Sequence, residues 1–367
     1  MNICLISNGL TGLFLAKALI NLDINVFIFS EKKIFLSKVR TLAISQANLE
    51  FIQKKIFNLD KKKIWPIKKI EIFDSQYSKK KILDFYNTKN NLFSIVKNDD
   101  LYKGIENYLI KNKKVKKIFI KNKLFYSKII KEDKYDLIIN CNNNEISKKF
   151  FNQKIQKKYN STAYATIINH ETDTNKKAVQ IFTNYGPIAF LPISKTQTSV
   201  IYSINKKKIK NIEFFSQKKL EKLIINRNIK YKIKSIAKFE KFNLNFALPR
   251  KYYKNNILAF GDGLHQIHPL AGQGFNMTLR DIKIISEVIE QKKKLGLEID
   301  NSIFEEFENK TKHLNYLFAS SIDLINDFFK VENKYFKNFS NKIFKKINKN
   351  KTIKNLFIKY ANNGFDF

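Results

Sequence analysis

The residues with the clearest chemical purpose lie in one run, Leu258-Ala259-Phe260-Gly261-Asp262-Gly263-Leu264-His265-Gln266-Ile267-His268-Pro269-Leu270-Ala271-Gly272-Gln273-Gly274-Phe275-Asn276-Met277. Ile257 to Phe260 read as a strand, and Gly261-Asp262-Gly263 as a tight turn. That turn sets a carboxylate at the strand's end, where α/β sheets bind their ligands. From Pro269 to Gly274 three small residues, Ala271, Gly272 and Gly274, let a planar ligand approach the backbone closely. Phe275, Leu279, Ile282, Ile285 and Ile289 then recur at helical spacing, with Lys283, Glu287 and Glu290 on the polar side. Such a helix aims its N-terminal N–H groups at whatever lies over Gly272 to Gly274, a favourable place for negative charge.

A second constellation opens the chain. Ile3-Cys4-Leu5-Ile6 is an apolar run suited to a strand buried on both faces. Ser7-Asn8-Gly9-Leu10-Thr11-Gly12 follows, then a helix carrying Leu13, Phe14, Ala16, Ala18 and Leu19. A turn at Asp23-Ile24-Asn25 leads to a second strand, Val26-Phe27-Ile28-Phe29. The unit has the dimensions of a dinucleotide-binding βαβ, in which glycines admit a pyrophosphate to the helix N-terminus. Ser7 stands at the first glycine of G-x-G-x-x-G, while Gly9 and Gly12 hold the other two. Glu31, after Ser30, is the candidate acid for a ribose hydroxyl. An ordinary buried strand–helix–strand gives the same pattern.

These elements must be carried by a chain of 367 residues with 69 Lys+Arg against 32 Asp+Glu, a net charge of +37. The charge suggests a nucleic-acid partner. Against that, only Arg40, Arg227, Arg250 and Arg280 are arginines, and the lysines run through the whole chain. Together with abundant Ile, Asn and Phe, this reads as compositional drift, so no nucleic acid is expected. A hydrophobic content of 44% with 33 Phe and 16 Tyr supplies a full core and excludes a disordered chain. Cys4 and Cys141 build no disulfide framework, which fits a reducing cytoplasm. The apolar start through Ile20 lacks a basic leader and is interrupted by Asn8, Gly9, Thr11, Gly12 and Lys17. Neither a signal peptide nor a spanning helix is expected there. His265 and His268 lack a third ligand and Pro269 interrupts any helix, so no metal site is expected. His265 reads as a structural histidine, His268 as one facing a ligand, and His170 and His313 as isolated surface residues.

The run from Gly261 to Asn276 resembles the G-D-(A/G)-x-H-x-x-x-P-x-x-G-Q-G-x-N signature of FAD-dependent aromatic hydroxylases. It is most similar to the ubiquinone-biosynthesis branch of the para-hydroxybenzoate-hydroxylase-like monooxygenases. Arg40-Thr41-Leu42-Ala43-Ile44-Ser45 is similar to that branch's R-x-x-A-L-S segment. Gly186-Pro187-Ile188-Ala189-Phe190-Leu191-Pro192-Ile193 is similar to its G-P-x-A-x-L-P-L strand. The order and spacing of the segments agree over about residues 1–330. The resemblance implies that Gly9, Gly12 and Glu31 hold the adenosine end of FAD. It places Arg40 near the pyrophosphate and Asp262 at the ribityl–pyrophosphate region. Gly272, Gly274 and Asn276 would flank the flavin ring, with Pro269 and Gln273 facing it and His268 and Pro192 lining the substrate side. One segment departs: where relatives carry A-D-G-x-x-S after a strand, Asn140-Cys141-Asn142-Asn143-Asn144-Glu145 stands here. That puts NAD(P)H binding in question.

The expected fold is α/β, a Rossmann-like FAD-binding domain interleaved with a mixed β-sheet substrate domain and closed by C-terminal helices. The FAD domain would take 1–65, 99–150 and 250–330, and the substrate domain 66–98 and 151–249. In 331–367, Tyr335, Phe336, Phe339, Ile343, Phe344 and Ile347 alternate with lysines as a basic amphipathic tail. It would either dock on its own protein or lie on an anionic membrane. The implied activity is an FAD-dependent monooxygenase that hydroxylates a polyprenylated phenol in ubiquinone synthesis with NAD(P)H and O2. The expected location is cytoplasmic, with peripheral contact at the inner membrane. The alternative is a drifted, non-catalytic FAD-binding subunit of a quinone-synthesis complex.

Overall fold

Ile3 to Ile6 are fully buried because their strand lies inside a parallel sheet and their side chains pack into one core cluster with helical residues such as Phe14, Leu101 and Ile282. The computed structural model describes residues 1–30, 37–74, 80–87, 90–120, 125–131, 134–209, 216–267, 273–328 and 350. Expectations at Glu31, His268, Pro269 and Gly272, at the Gln273 side chain, and along the tail at 331–349 and 351–367 lie outside them.

A six-stranded sheet comprises β1 (Asn2–Ile6), β2 (Asn25–Ser30), β8 (Val115–Phe119), β9 (Leu137–Asn140), β16 (Tyr253–Lys254) and β17 (Ile257–Ala259). Its order is β16-β17-β9-β1-β2-β8, parallel throughout except the β16–β17 pair. An eight-stranded sheet takes β5 (Lys69–Asp74), β6 (Lys80–Tyr86), β10 (Lys154–His170), β11 (Lys177–Thr183) and β12 (Gly186–Pro192). It is completed by β13 (Gln197–Asn205), β14 (Ile233–Ile236) and β15 (Glu240–Pro249). Its strands are antiparallel apart from β5 beside β11. A small antiparallel sheet joins β3 (Thr41–Ser45), β7 (Phe93–Lys97) and β4 (Trp65–Ile67).

The helices are α1 (Leu10–Ile20), α2 (Gln46–Phe51), α3 (Asn98–Ile110), α4 (Phe125–Lys131) and α5 (Glu145–Phe150), then α6 (Gln217–Arg227), α7 (Gln273–Lys294) and α8 (Ser302–Phe328). α1 is buried at every position except Thr11. An all-round apolar helix has no solvated face and must be enclosed, and α1 packs against β2, α3 and α7. Phe14 meets Phe57 and Phe275 edge-to-face at centroid distances of 5.9 and 5.4 Å, which locks α1 to the first turn of α7. Lys17 is also buried. Its ammonium donates to Asn21 Oδ1 and lies 4.3 Å from the centroid of Tyr108, so amide and ring replace water.

One expectation is corrected here. His170 is not a surface residue but 2% exposed, at the heart of a polar knot in the large sheet. Its Nδ1 donates to Glu171 O at 2.7 Å, so Nε2 is left to accept from Thr198 Oγ1 at 3.0 Å. Asn175 binds Ser194 O and Thr198 Oγ1, and accepts from Tyr231, whose ring stacks on His170 at 4.4 Å. A buried imidazole is tolerable when both nitrogens are satisfied, and the partners come from segments far apart in sequence. His313, by contrast, is exposed.

Candidate functional site

At the β1–α1 turn, Ser7 is buried and its Oγ accepts from Gly12 N at 3.1 Å and Gly9 N at 3.4 Å. The hydroxyl thus does locally what an N-cap side chain does. Gly12 makes room for it: a Cβ built there would stand 2.3 Å from Ser7 Cβ. Gly9 itself caps α1 with no side-chain hydrogen bond, and a Cβ on it would meet nothing within 4 Å. The start of α1 therefore faces open space.

That space is a cavity of about 960 Å³, at the upper end of ligand pockets. Gly9, Arg40, Asp262 and Gly274 all line it. Asp262 is carried out of the β17 end by a 3-10 turn at Gly261–Gly263, with its residue exposed. Gly261 sits at φ +51, and a Cβ there would lie 2.5 Å from Thr11 Cγ2, so only glycine brings this turn against α1. Arg40 reaches in from the loop before β3. Its backbone N donates to Ser37 Oγ at 2.9 Å. Among the described residues no carboxylate pairs with its guanidinium.

The altered loop after β9 also lines the cavity, through Cys141 to Glu145. Asn140, fully buried, donates to Asn142 O, Asn144 Oδ1 and Ser147 Oγ. Asn144 caps α5 by accepting from Ile146 and Ser147 N, and Asn142 Oδ1 accepts from Asn8 N at 3.2 Å. The loop after β9 is thus an amide network tied to the β1–α1 turn. Burial, with the Asp262 carboxylate adding to it, pushes the Cys141 thiol far above its usual range and keeps it protonated.

His265, also on the cavity wall, places Nε2 2.9 Å from Asp281 Oδ2, and Arg280 donates to Asp281 Oδ1 at 3.1 Å. Burial raises the Asp281 carboxyl, but the Arg280 charge and the His265 hydrogen bond more than reverse this and hold it below the ordinary carboxylate range. His265 is thus held through Nε2 by a buried carboxylate on α7. Asn276 is 7% exposed and spends its amide on Ala43 O, Ser45 N and Asn48 Nδ2, clamping α7 to β3 and α2. Gly12 lies beneath the turn and Pro192 is buried at the end of β12, paired with Thr198. Neither lines the cavity.

The wall contributed by the large sheet was not foreseen. It is mixed: Ala163 and Ala165 on β10, Ile201 on β13, and on β15 the apolar Phe242 and Leu244 beside the polar Glu240, Asn243 and Asn245. Register explains the grouping, since Ala163 pairs with Phe242 and Ala165 with Ile201. The only trace in the sequence is the alternation of small residues at 163 and 165, uninformative until the strands are paired.

The cavity residues therefore fit an adenine dinucleotide flavin: an open glycine at a helix start, a guanidinium with no carboxylate partner among the described residues, a projecting carboxylate, and apolar side chains from the large sheet. A family model described as squalene epoxidase matches residues 134–360. The ubiquinone biosynthesis monooxygenase COQ6 of Caenorhabditis elegans is 24% identical over 214 residues, 47% of this chain and 48% of that protein. The 3-demethoxyubiquinol 3-hydroxylase of Escherichia coli is 25% identical over 158 residues, 42% of this chain and 40% of that one. The chain thus spans half or less of the length of these curated relatives. Among solved structures, p-nitrophenol 4-monooxygenase PnpA of Pseudomonas putida superposes with a TM-score of 0.78 at 11% identity, covering 98% of this chain and 97% of that one. HpxO of Klebsiella pneumoniae, solved with FAD and uric acid, gives 0.72 at 11% identity over 98% of this chain and 96% of that one. These likenesses establish the FAD-dependent monooxygenase fold.

Proposed function

Because the chain belongs to the squalene epoxidase family, we propose that it is an FAD-dependent monooxygenase acting on the ring of a polyprenylated phenol in ubiquinone synthesis. NAD(P)H is the proposed reductant and O2 the source of the added oxygen. The observation that carries the reading is the single cavity in which Gly9, Arg40 and Asp262 share walls with Ala163, Ala165, Ile201, Phe242 and Leu244. Bound FAD supplies the oxygen chemistry; the chain binds, orients and shields.

On this reading the α1 start and Arg40 hold the diphosphate, and Asp262 takes hydroxyls of the ribityl chain. Gly274, with Gly272, Pro269 and Gln273, flanks the flavin ring, and Glu31 serves the adenosine end, while Gly12 makes room for the Ser7 side chain beneath the turn. The apolar residues of the large sheet, Ala163, Ala165, Ile201, Phe242 and Leu244, receive the aromatic ring and exclude water, and His268 serves the substrate side. His265, through Asp281, ties the turn at Gly261–Gly263 to α7, and Asn276 ties α7 to β3 and α2. The FAD portion corresponds to 1–65, 99–150 and 250–330, and the substrate portion to 66–98 and 151–249. The lysine-rich tail is assigned to peripheral contact with an anionic membrane, where a prenylated substrate resides. Among the described residues no helix is long and apolar enough to cross a membrane.

A second reading, a non-catalytic FAD-binding subunit, draws on the loop after β9, at Cys141 and Asn142. One experiment separates the two. The purified protein is examined for a flavin absorption spectrum, then titrated with NADPH anaerobically in the presence of a prenylated phenol. Bleaching, followed by hydroxylated product on admitting O2, supports the enzyme. A yellow protein never bleached supports the subunit. A colourless protein that takes up no FAD refutes both.

A further inference from the structure

We infer that Phe242 is a positioning residue for Arg40, so that the edge of the large sheet sets how tightly the cavity holds a diphosphate. The guanidinium carbon of Arg40 lies 5.8 Å from the centroid of the Phe242 ring, and both residues line the cavity. A cation held on a ring face keeps its planar N–H groups free, whereas a carboxylate partner would consume them. Among the described residues Arg40 has no such partner. Its fork is therefore oriented and still available, the condition a bidentate phosphate contact requires.

The neighbouring residues fix the same loop to the same sheet. Val39, 6% exposed, packs in one cluster with Ala165, Ile167 and Phe242. Thr41 Oγ1 donates to Ser199 Oγ at 2.8 Å. Ala163 stands opposite Phe242 in the β10–β15 register, so no bulky cross-strand neighbour competes for the ring's place. Residues 39 to 41 are thus registered against β10, β13 and β15, and the side chain between the two anchors is Arg40. A flexible arginine loses rotamer freedom on gripping a ligand; one already seated loses less.

The inference rests on the FAD reading for its ligand, so the test uses two probes, FAD and ADP. Affinities are measured by quenching of flavin fluorescence and by calorimetry for wild type, Phe242→Leu, Phe242→Trp, Arg40→Gln and the double variant Arg40→Gln/Phe242→Leu. Phe242→Leu should weaken both ligands about three- to tenfold, the range a partly desolvated cation–π contact supplies. Phe242→Trp, which keeps a ring face, should stay within about twofold of wild type on the same grounds. In the Arg40→Gln background, Phe242→Leu should change neither affinity. An equal loss from Phe242→Leu in both backgrounds, or no loss in either, overturns the inference while leaving FAD binding intact. If ADP follows the expected pattern and FAD does not bind, the FAD reading falls and the positioning role stands. If wild type binds neither probe, both fall.

Discussion

The contact between Ser7 and Gly12 permits a sharp test, because one substitution should change sign with its background. A Cβ at Gly12 would meet Ser7 Cβ at 2.3 Å and Ser7 Oγ at 2.5 Å, with Ser7 Cα next at 3.8 Å. Overpacking of this kind costs about 1–3 kcal/mol. Pushing the hydroxyl aside also loses its bond from Gly12 N, worth about 0.5–1.5 kcal/mol. Against these, alanine is better than glycine inside a helix by about 1 kcal/mol. Gly12→Ala should therefore destabilise the protein by a net of roughly 1–3 kcal/mol. In the Ser7→Gly background the obstacle is gone, and Gly12→Ala should instead stabilise by up to about 1 kcal/mol through helix propensity. Urea midpoints for the four proteins, with unchanged slopes, measure both steps. An equal loss from Gly12→Ala in both backgrounds would refute the reasoning, since it would place the clash elsewhere.

The buried Asp281 makes two further expectations. Asp281→Asn should cost about 3–5 kcal/mol near neutral pH, because it leaves the Arg280 charge buried without its counterion. The Asp281 carboxyl is depressed in the folded state, so its contribution is present above the unfolded value near 3.9 and is lost as pH falls through the folded one. The stability gap between wild type and Asp281→Asn should therefore narrow below about pH 4, as read from urea midpoints at stepped pH. A gap constant down to pH 3 contradicts this. Asn175→Ala should destabilise by about 2–4 kcal/mol, since it strands Ser194 O, Thr198 Oγ1 and the Tyr231 hydroxyl. A melting temperature within a degree of wild type would show that the polar knot is dispensable.

Much of the first sheet was legible because its signals are local. The apolar run at Ile3 to Ile6, the glycine turn and the second strand fall within one βαβ, and each element's boundary is set by residues inside it. The turn at Gly261 was equally legible, since a positive φ has to be served by the residue at that position. His265 could be read as structural, though its partner Asp281 could not be named. His170 was misread because burial belongs to no single residue. Thr198, Asn175 and Tyr231 enclose it from other strands and loops, and nothing in its own neighbourhood announces them.

The arginines make the same division from the side of charge. Of the four, Arg280 is locked in a buried network and Arg40 lines the cavity over the Phe242 ring, while lysines dominate the remainder of the +37. Composition alone could not separate these roles. By itself the sequence determined the first strands, the helix between them and the turns at Gly9 and Gly261, because backbone geometry and periodicity act over a few residues. Only the tertiary structure decided what faces what: Ser7 filling the space Gly12 leaves, the amide network of the loop after β9, and Phe242 beneath Arg40. Each of those depends on the register and packing of segments 5 to about 200 residues apart, and contact across such distances is a property of the folded chain and not of any local pattern.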